Sequence, residues 1–294
     1  MSYATIKTEI ADRILTVTLN RPEAMNAFTV EMANELIHVF NAASEDDDVA
    51  CVIVTGEGKA FCAGMDLTAE GNVFGLDESI LPGLSELRHD YSSEEMVKGV
   101  RDTGGRVSLA IYECKKPVIG AINGAAVGIG ATMTLGMDIR MASEKARIGF
   151  VFGKIGITPE ACSTWFLPRI VGMQQALEWV YSADILKAEE AKEGGLIRSV
   201  HAPEDLLPAA RELAIKFTKN RSPVATAFAR QMMYRNSGMP SPRTAHEVDS
   251  LAIYYASIGD GKEGVSSFLE KRDPVFSGKA SEMPGIYPWW ESDQ

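Results

Sequence analysis

Two glycine-bearing loops in this 294-residue chain each come after an apolar, strand-like run. The first is Phe61-Cys62-Ala63-Gly64-Met65-Asp66, downstream of Cys51-Val52-Ile53-Val54. The second, Asn123-Gly124-Ala125-Ala126-Val127-Gly128-Ile129-Gly130, follows Val118 to Ile122 and runs into a helix start. A helix N-terminus offers unpaired N–H groups and the positive end of the peptide dipole, which suits an oxygen gaining negative charge. Glycines let the backbone come close to a ligand. Either loop alone is ordinary, because strand-to-helix turns are often glycine-rich. The dinucleotide spacing G-x-G-x-x-G does not occur here.

Glu160 lies in Gly156-Ile157-Thr158-Pro159-Glu160-Ala161-Cys162-Ser163, and the pattern alone favours a structural role for it. Read locally, Thr158 is an N-cap, Pro159 sits at N1, and Glu160 at N2 compensates the helix dipole. Apolar neighbours such as Phe150, Phe152 and Trp165 would raise its pKa, and a helix N-terminus would lower it. The histidines (His38, His89, His201, His246) lack metal-ligand spacing, so no metal site is expected. Cys51, Cys62, Cys114 and Cys162 form no C-x-x-C pair and read as free thiols of a reducing compartment. Met65, Met133 and Met137 read as packing.

The elements that must hold these groups alternate. Residues 13–19 alternate apolar and polar as a half-buried strand does, and Asn20-Arg21-Pro22 ends it. Residues 30–43 carry apolar groups at helical spacing, and the acidic run 44–48 reads as a solvated turn. Residues 69–95 have weak periodicity and several glycines, and read as a long insertion before helical pattern resumes toward Tyr112. Short strands are expected at 139–141 and 148–150. Helices are expected near 160–171, 173–182, 203–219, 222–236, 243–258 and 261–271. The tail from 276 has no period. Strands alternating with helices, followed by a helical third, predict an α/β core with a helical appendage.

The composition is that of a soluble globular chain, 46% hydrophobic and 23% charged. A net charge of -11 argues against a general nucleic-acid binder, yet allows a polyanionic ligand at a local basic patch. No apolar run reaches the roughly 18 residues of a membrane span. The first residues lack the pattern of a signal peptide and the last, ESDQ, are not a peroxisomal address, so a cytoplasmic location is expected.

The two loops together, in this order, make the chain resemble the crotonase (enoyl-CoA hydratase/isomerase) family. The matching motifs begin with Leu19-Asn20-Arg21-Pro22, Asn26-Ala27 and Ala60 to Asp66. Lys116 to Gly124, Gly128-Ile129-Gly130, Pro168 to Gly172 and Glu190-Ala191-Lys192 follow. Gly195-Leu196-Ile197, Glu263-Gly264 and Phe268 to Arg272 complete the set. The resemblance covers roughly residues 5–275, and departs between Asp66 and Lys115 and in the tail. It implies a ββα spiral core over 1–200, a helical trimerisation region over 201–275 and an irregular tail over 276–294. It also implies an acyl-CoA substrate, no separate cofactor, and a homotrimer or hexamer.

By the same resemblance, the backbone N–H groups of Met65 and Ile129 form an oxyanion hole, and Ile129 replaces the family's usual glycine. Ala63, Gly64, Asp66, Leu67, Thr68, Gly128, Thr132 and Phe152 are expected to bind substrate. Crotonase-type hydratases use two glutamates; those positions fall here on Thr132 and Phe152, which cannot do acid–base work. Glu160 resembles the base of the Δ3,Δ2-enoyl-CoA isomerase branch, and one base suffices to shift a double bond. The leading expectation is therefore an isomerase of fatty acid metabolism. The alternative is a hydratase drawing a second acid from the insertion (Glu78, Glu86, Asp90, Glu94, Glu95), with His89 also within it. Nucleophilic use of Glu160, as in the resembling 4-chlorobenzoyl-CoA dehalogenases, and a non-catalytic acyl-CoA- or protein-binding member are remoter readings.

Overall fold

A computed structural model describes residues 3–68 and 70–291. The chain opens with an antiparallel pair, β1 (Ile6–Ala11) and β2 (Ile14–Leu19), followed by helix α1 (Val30–Glu45), whose N-cap Thr29 accepts the Met32 N–H. Three spiral turns then each place one strand in each of two sheets. The first contributes β3 (Cys51–Gly56) and β4 (Ala60–Cys62). Helices α2 (Leu84–His89), α3 (Glu94–Gly99) and α4 (Thr103–Glu113) lead to β5 (Val118–Ile122) and β6 (Ala125–Val127). The single-turn helix α5 (Ile129–Thr132) leads to β7 (Ile139–Ser143) and β8 (Arg147–Gly149).

The remainder is mainly helical: α6 (Ser163–Val171), α7 (Met173–Ser182), β9 (Ile185–Lys187), α8 (Ala188–Glu193) and β10 (Ser199–His201). Then come α9 (Leu206–Thr218), α10 (Pro223–Asn236), α11 (Pro242–Ile258) and α12 (Asp260–Glu270). One sheet runs β1-β2-β3-β5-β7-β10 and the other β4-β6-β8-β9. Apart from the β1–β2 and β8–β9 pairs, neighbouring strands are parallel.

The central strands read as unbroken apolar runs because both of their faces are covered. Val52 and Val54 face a core shared with Phe40, Phe61 and Ile111, while Cys51 and Ile53 face Leu206, Ala210 and Leu213 of α9. Helix α9 thus lies on the back of the six-stranded sheet, and the layered core continues past residue 201.

Several local expectations are corrected. The first glycine-bearing loop begins inside β4, a strand of three residues that period-2 reading cannot register. The apolar helix after Gly128 lasts one turn before tightening to a 3-10 turn, Met133–Gly136. The insertion holds α2 and the start of α3. The acidic run begins inside α1. The helix expected near 160 starts at Ser163, because Ala161 and Cys162 take left-handed φ values of 56° and 58°. Thr158 is therefore not its N-cap, and Glu160 stands outside the helix rather than at N2.

Candidate active site

The first loop is braced from behind. The Phe28 N–H donates to the Gly64 carbonyl at 2.7 Å and the Asp66 N–H to the Phe28 carbonyl at 2.9 Å, so the segment holds the loop as a strand would. Arg21 pairs with Asp66 at 2.9 Å and donates to the Ala27 carbonyl at 2.6 Å. Buried Asn26 donates to the carbonyls of Glu57 and Ala60 and accepts the Arg21 N–H. The Thr68 hydroxyl and N–H both donate to Asp66, and together with Arg21 these bonds hold its carboxyl down at about 2. The Asn20-Arg21-Pro22…Asn26-Ala27 motif is thus the scaffold of this loop. Among the described residues, the Met65 N–H finds no partner.

The second loop meets the first through glycine. Gly128 adopts φ 55°, ψ −124°, a conformation a side chain disfavours, and its N–H donates to the Gly149 carbonyl at 2.9 Å. A Cβ on Gly130 would lie 2.0 Å from the Cys62 carbonyl oxygen, so α5 can pack on the first loop only with glycine there. The Ile129 N–H, at the first position of α5, likewise has no partner among the described residues. Both residues with free N–H groups, Met65 and Ile129, line one cavity of about 590 Å³, and Glu160 lines it too.

Glu160 is aimed by the turn that follows it. The Ala161 N–H donates to Asp102 Oδ2 at 2.6 Å, and the same oxygen accepts the Gly105 N–H at 2.9 Å as the N-cap of α4. Asp102 also lines the cavity, and its carboxyl neighbours that of Glu160 closely enough to shift it. Burial pushes the Glu160 carboxyl up to about 8, and the neighbouring Asp102 charge pushes the same way. The Thr132 hydroxyl, 2.5 Å from Glu160 Oε1, offsets part of this. At neutral pH the Glu160 carboxyl is therefore mostly protonated.

The predicted positions separate into two groups. Ala63, Gly64, Met65, Leu67, Gly128, Ile129, Phe152 and Glu160 line the cavity. Asp66 and Thr68 do not: they brace the loop from its outer side. Thr132 sits behind Glu160 as its hydrogen-bond partner rather than on the cavity wall. The acids expected from the insertion also lie elsewhere. Glu78 bonds Asn72, Glu86 caps α2 and Glu94 pairs with Lys98, while neither Asp90 nor Glu95 lines the cavity. What the insertion contributes is apolar wall, Phe74 and Leu76.

Asp102 was missed by sequence reasoning. Its signal was Asp102-Thr103-Gly104-Gly105, two glycines in the first turn of a helix, where helix propensity alone disfavours them. Both are needed for space, since a Cβ on Gly104 would meet Glu160 Oε2 at 2.2 Å and one on Gly105 would meet Asp102 Oδ2 at 2.6 Å.

His38 bonds Tyr3 and His201 bonds Ser199, while His89 is exposed beside Asp90; no histidine lines the cavity. Burial pushes the Cys62 thiol up to about 12, far from a nucleophile's range. Among the described residues no group of three or more His, Cys, Asp or Glu could hold a metal, and no helix is long and apolar enough to cross a membrane.

A family profile described as enoyl-CoA hydratase/isomerase matches residues 9–279. An enoyl-CoA hydratase of Alternaria alternata, ACTT3, is 38% identical over 278 residues, 94% of this chain and 86% of that one. The 1,2-epoxyphenylacetyl-CoA isomerase of Escherichia coli is 32% identical over 277 residues, 93% of this chain and 98% of that one. The crystal structure of an enoyl-CoA hydratase from Bacillus anthracis superposes with a TM-score of 0.79 at 29% identity, covering 94% of this chain and 100% of that one.

Proposed function

The chain belongs to the enoyl-CoA hydratase/isomerase family, and from that premise we propose that it adds water to a 2-enoyl-CoA thioester, using Glu160 and Asp102 as its acid–base pair. One observation carries this reading: a second carboxylate, Asp102, stands against Glu160 in the cavity wall. The isomerase expectation took Glu160 as a single base, and a neighbouring carboxylate supports the two-carboxylate reading beside it.

In this mechanism the thioester oxygen accepts the N–H groups of Met65 and Ile129. Each such donor is worth about 3 kcal/mol to an enolate-like transition state. Asp102 takes a proton as water adds its oxygen to C3. Charge flows onto the thioester oxygen, and Glu160 delivers its proton to C2. The pair ends with one proton, moved from Glu160 to Asp102, and its return to Glu160 resets the site. The sum is addition of one water; coenzyme A enters as part of the substrate, and the steps call for no metal or redox group.

The second reading is Δ3,Δ2 isomerisation, favoured by Thr132 and Phe152 standing where hydratases of the family carry glutamates. There Glu160, ionised, would take a proton from C2 and return it to C4. The test gives purified protein 2-enoyl-CoA and 3-enoyl-CoA in H₂¹⁸O, with Glu160→Gln and Asp102→Asn alongside. Hydration predicts ¹⁸O at C3 and loss of turnover of about 10²-fold or more in both variants. Conversion of the 3-enoyl substrate, with no ¹⁸O uptake from the 2-enoyl one, gives the isomerase reading instead. Acyl-CoA binding without turnover of either gives a binding protein.

The proposal extends to assembly. Phe268, Leu269, Ile253 and Val265 on α11 and α12 are largely exposed in the single chain. Such a patch fits burial against further copies, as the expected homotrimer or hexamer would provide.

A further inference from the structure

We propose that the Ile129 side chain, fitted against Gly104, is a selectivity wedge that bars acyl groups branched at C2. The inference rests on the oxyanion role of the Ile129 N–H but concerns a part of the residue that this role does not use.

Three groups converge at one point of the cavity wall. A Cβ built on Gly104 would meet Glu160 Oε2 at 2.2 Å and Ile129 Cδ1 at 2.3 Å. The tip of Ile129, the tip of Glu160 and the bare backbone of α4 are therefore packed against one another. Ile129 is 5% exposed and lines the cavity, so its side chain is wall rather than surface. It has little freedom to retreat. Its χ1 is stiff because of the branch at Cβ, and the α4 backbone stands behind Cδ1. On its other side α5 cannot shift away, because Gly130 already touches the Cys62 carbonyl.

The substrate's position follows from the same atoms. The thioester oxygen must sit about 3 Å from the Ile129 nitrogen, and C2 must lie within reach of Glu160. C2 is one bond from the thioester carbon, so it passes beside the Ile129 side chain on the way. A hydrogen on C2 fits there, whereas a methyl directed at this wall meets Ile129. Excluding one such group typically discriminates by about 10- to 200-fold. Gly104 completes the device: with alanine there, Ile129 and Glu160 would both have to move.

The experiment compares a straight-chain 2-enoyl-CoA with its 2-methyl counterpart, as a ratio of kcat/KM, in the wild type, Ile129→Ala, Ile129→Val, Gly104→Ala and the double variant Gly104→Ala/Ile129→Ala. Both Ile129 variants keep the backbone N–H. The wild type is expected to prefer the unbranched substrate by about ten-fold or more. Ile129→Ala should narrow that ratio at least several-fold, and Ile129→Val, which lacks Cδ1, should narrow it less. Gly104→Ala should lose activity on the straight-chain substrate, and adding Ile129→Ala should recover part of it.

The saturated pair of acyl-CoA ligands, straight and 2-methyl, is titrated against the same variants. This reads the wedge through dissociation constants without turnover, and so separates it from failure of the proposed reaction. An unchanged branched-to-straight ratio in Ile129→Ala, in both turnover and binding, overturns the proposal. Equal acceptance of both ligands by the wild type does so as well.

Discussion

Replacing Glu160 by glutamine keeps the side chain's shape and removes its titration. In the folded protein this carboxyl sits at about 8, raised from an ordinary 4.5 by burial and by the Asp102 charge. Between those values the folded chain holds a proton that the unfolded chain releases, so stability falls as pH rises through the window. Glu160 contributes its full share below pH 4.5; roughly 2 kcal/mol of it is gone by pH 6 and roughly 5 kcal/mol by pH 9. The wild type should therefore lose about 2–3 kcal/mol more than Glu160→Gln between pH 6 and pH 9. Other titrating groups are common to both proteins and cancel in the comparison. The assay is urea unfolding followed by circular dichroism, at one protein concentration, because any association would couple to stability. Parallel pH dependences for the two proteins would refute the placement of Glu160 as a desolvated, charge-crowded acid.

The same protonation sets the sign of the pH–rate profile. If Glu160 is the proton donor in hydration, kcat/KM falls above about pH 8; a profile that climbs through that pH identifies it as a base and favours isomerisation. Asp102→Asn removes the neighbouring charge and leaves the burial, so the inflection should move down while staying above the ordinary carboxyl range; a fixed inflection would show that burial acts alone. Asp66→Ala frees Arg21 and unties the first loop, and should lower kcat/KM by about ten-fold or more through a displaced Met65 N–H. A variant with unaltered kinetics would remove the brace from the account. Gly130→Ala drives a Cβ into the Cys62 carbonyl and should cost about 1–3 kcal/mol in unfolding free energy along with activity; full stability with full activity would contradict the contact between the two loops.

Much of the architecture was legible because periodicity reports burial. The apolar runs at 51–54 and 118–122 became β3 and β5, buried on both faces. The helical spacing of residues 30–43 became α1. What escaped was either too short to carry a period, as in β4, β6, β9 and β10, or shaped by a distant partner. Thr158-Pro159-Glu160 has the composition of a helix start. Yet Asp102, 59 residues away, accepts the Ala161 N–H and stands where the chain turns left-handed before α6 begins. The division of labour inside 66–68 and at Thr132 was hidden for a similar reason. Alternation along a chain cannot show which of Leu67 and Thr68 turns into the cavity and which turns back to Asp66.

By itself the sequence determined the chemistry's frame: two glycine loops after two apolar strands, and a carboxylate at residue 160, are local facts of composition and spacing. Tertiary structure decided what that carboxylate is. Whether Glu160 is a solvated helix cap or an acid near pH 8 depends on the desolvation and charge it meets, and both come from packing against Asp102 and Gly104 on a helix remote in sequence. Electrostatic energy depends on distance through the folded interior, and chain order does not encode it.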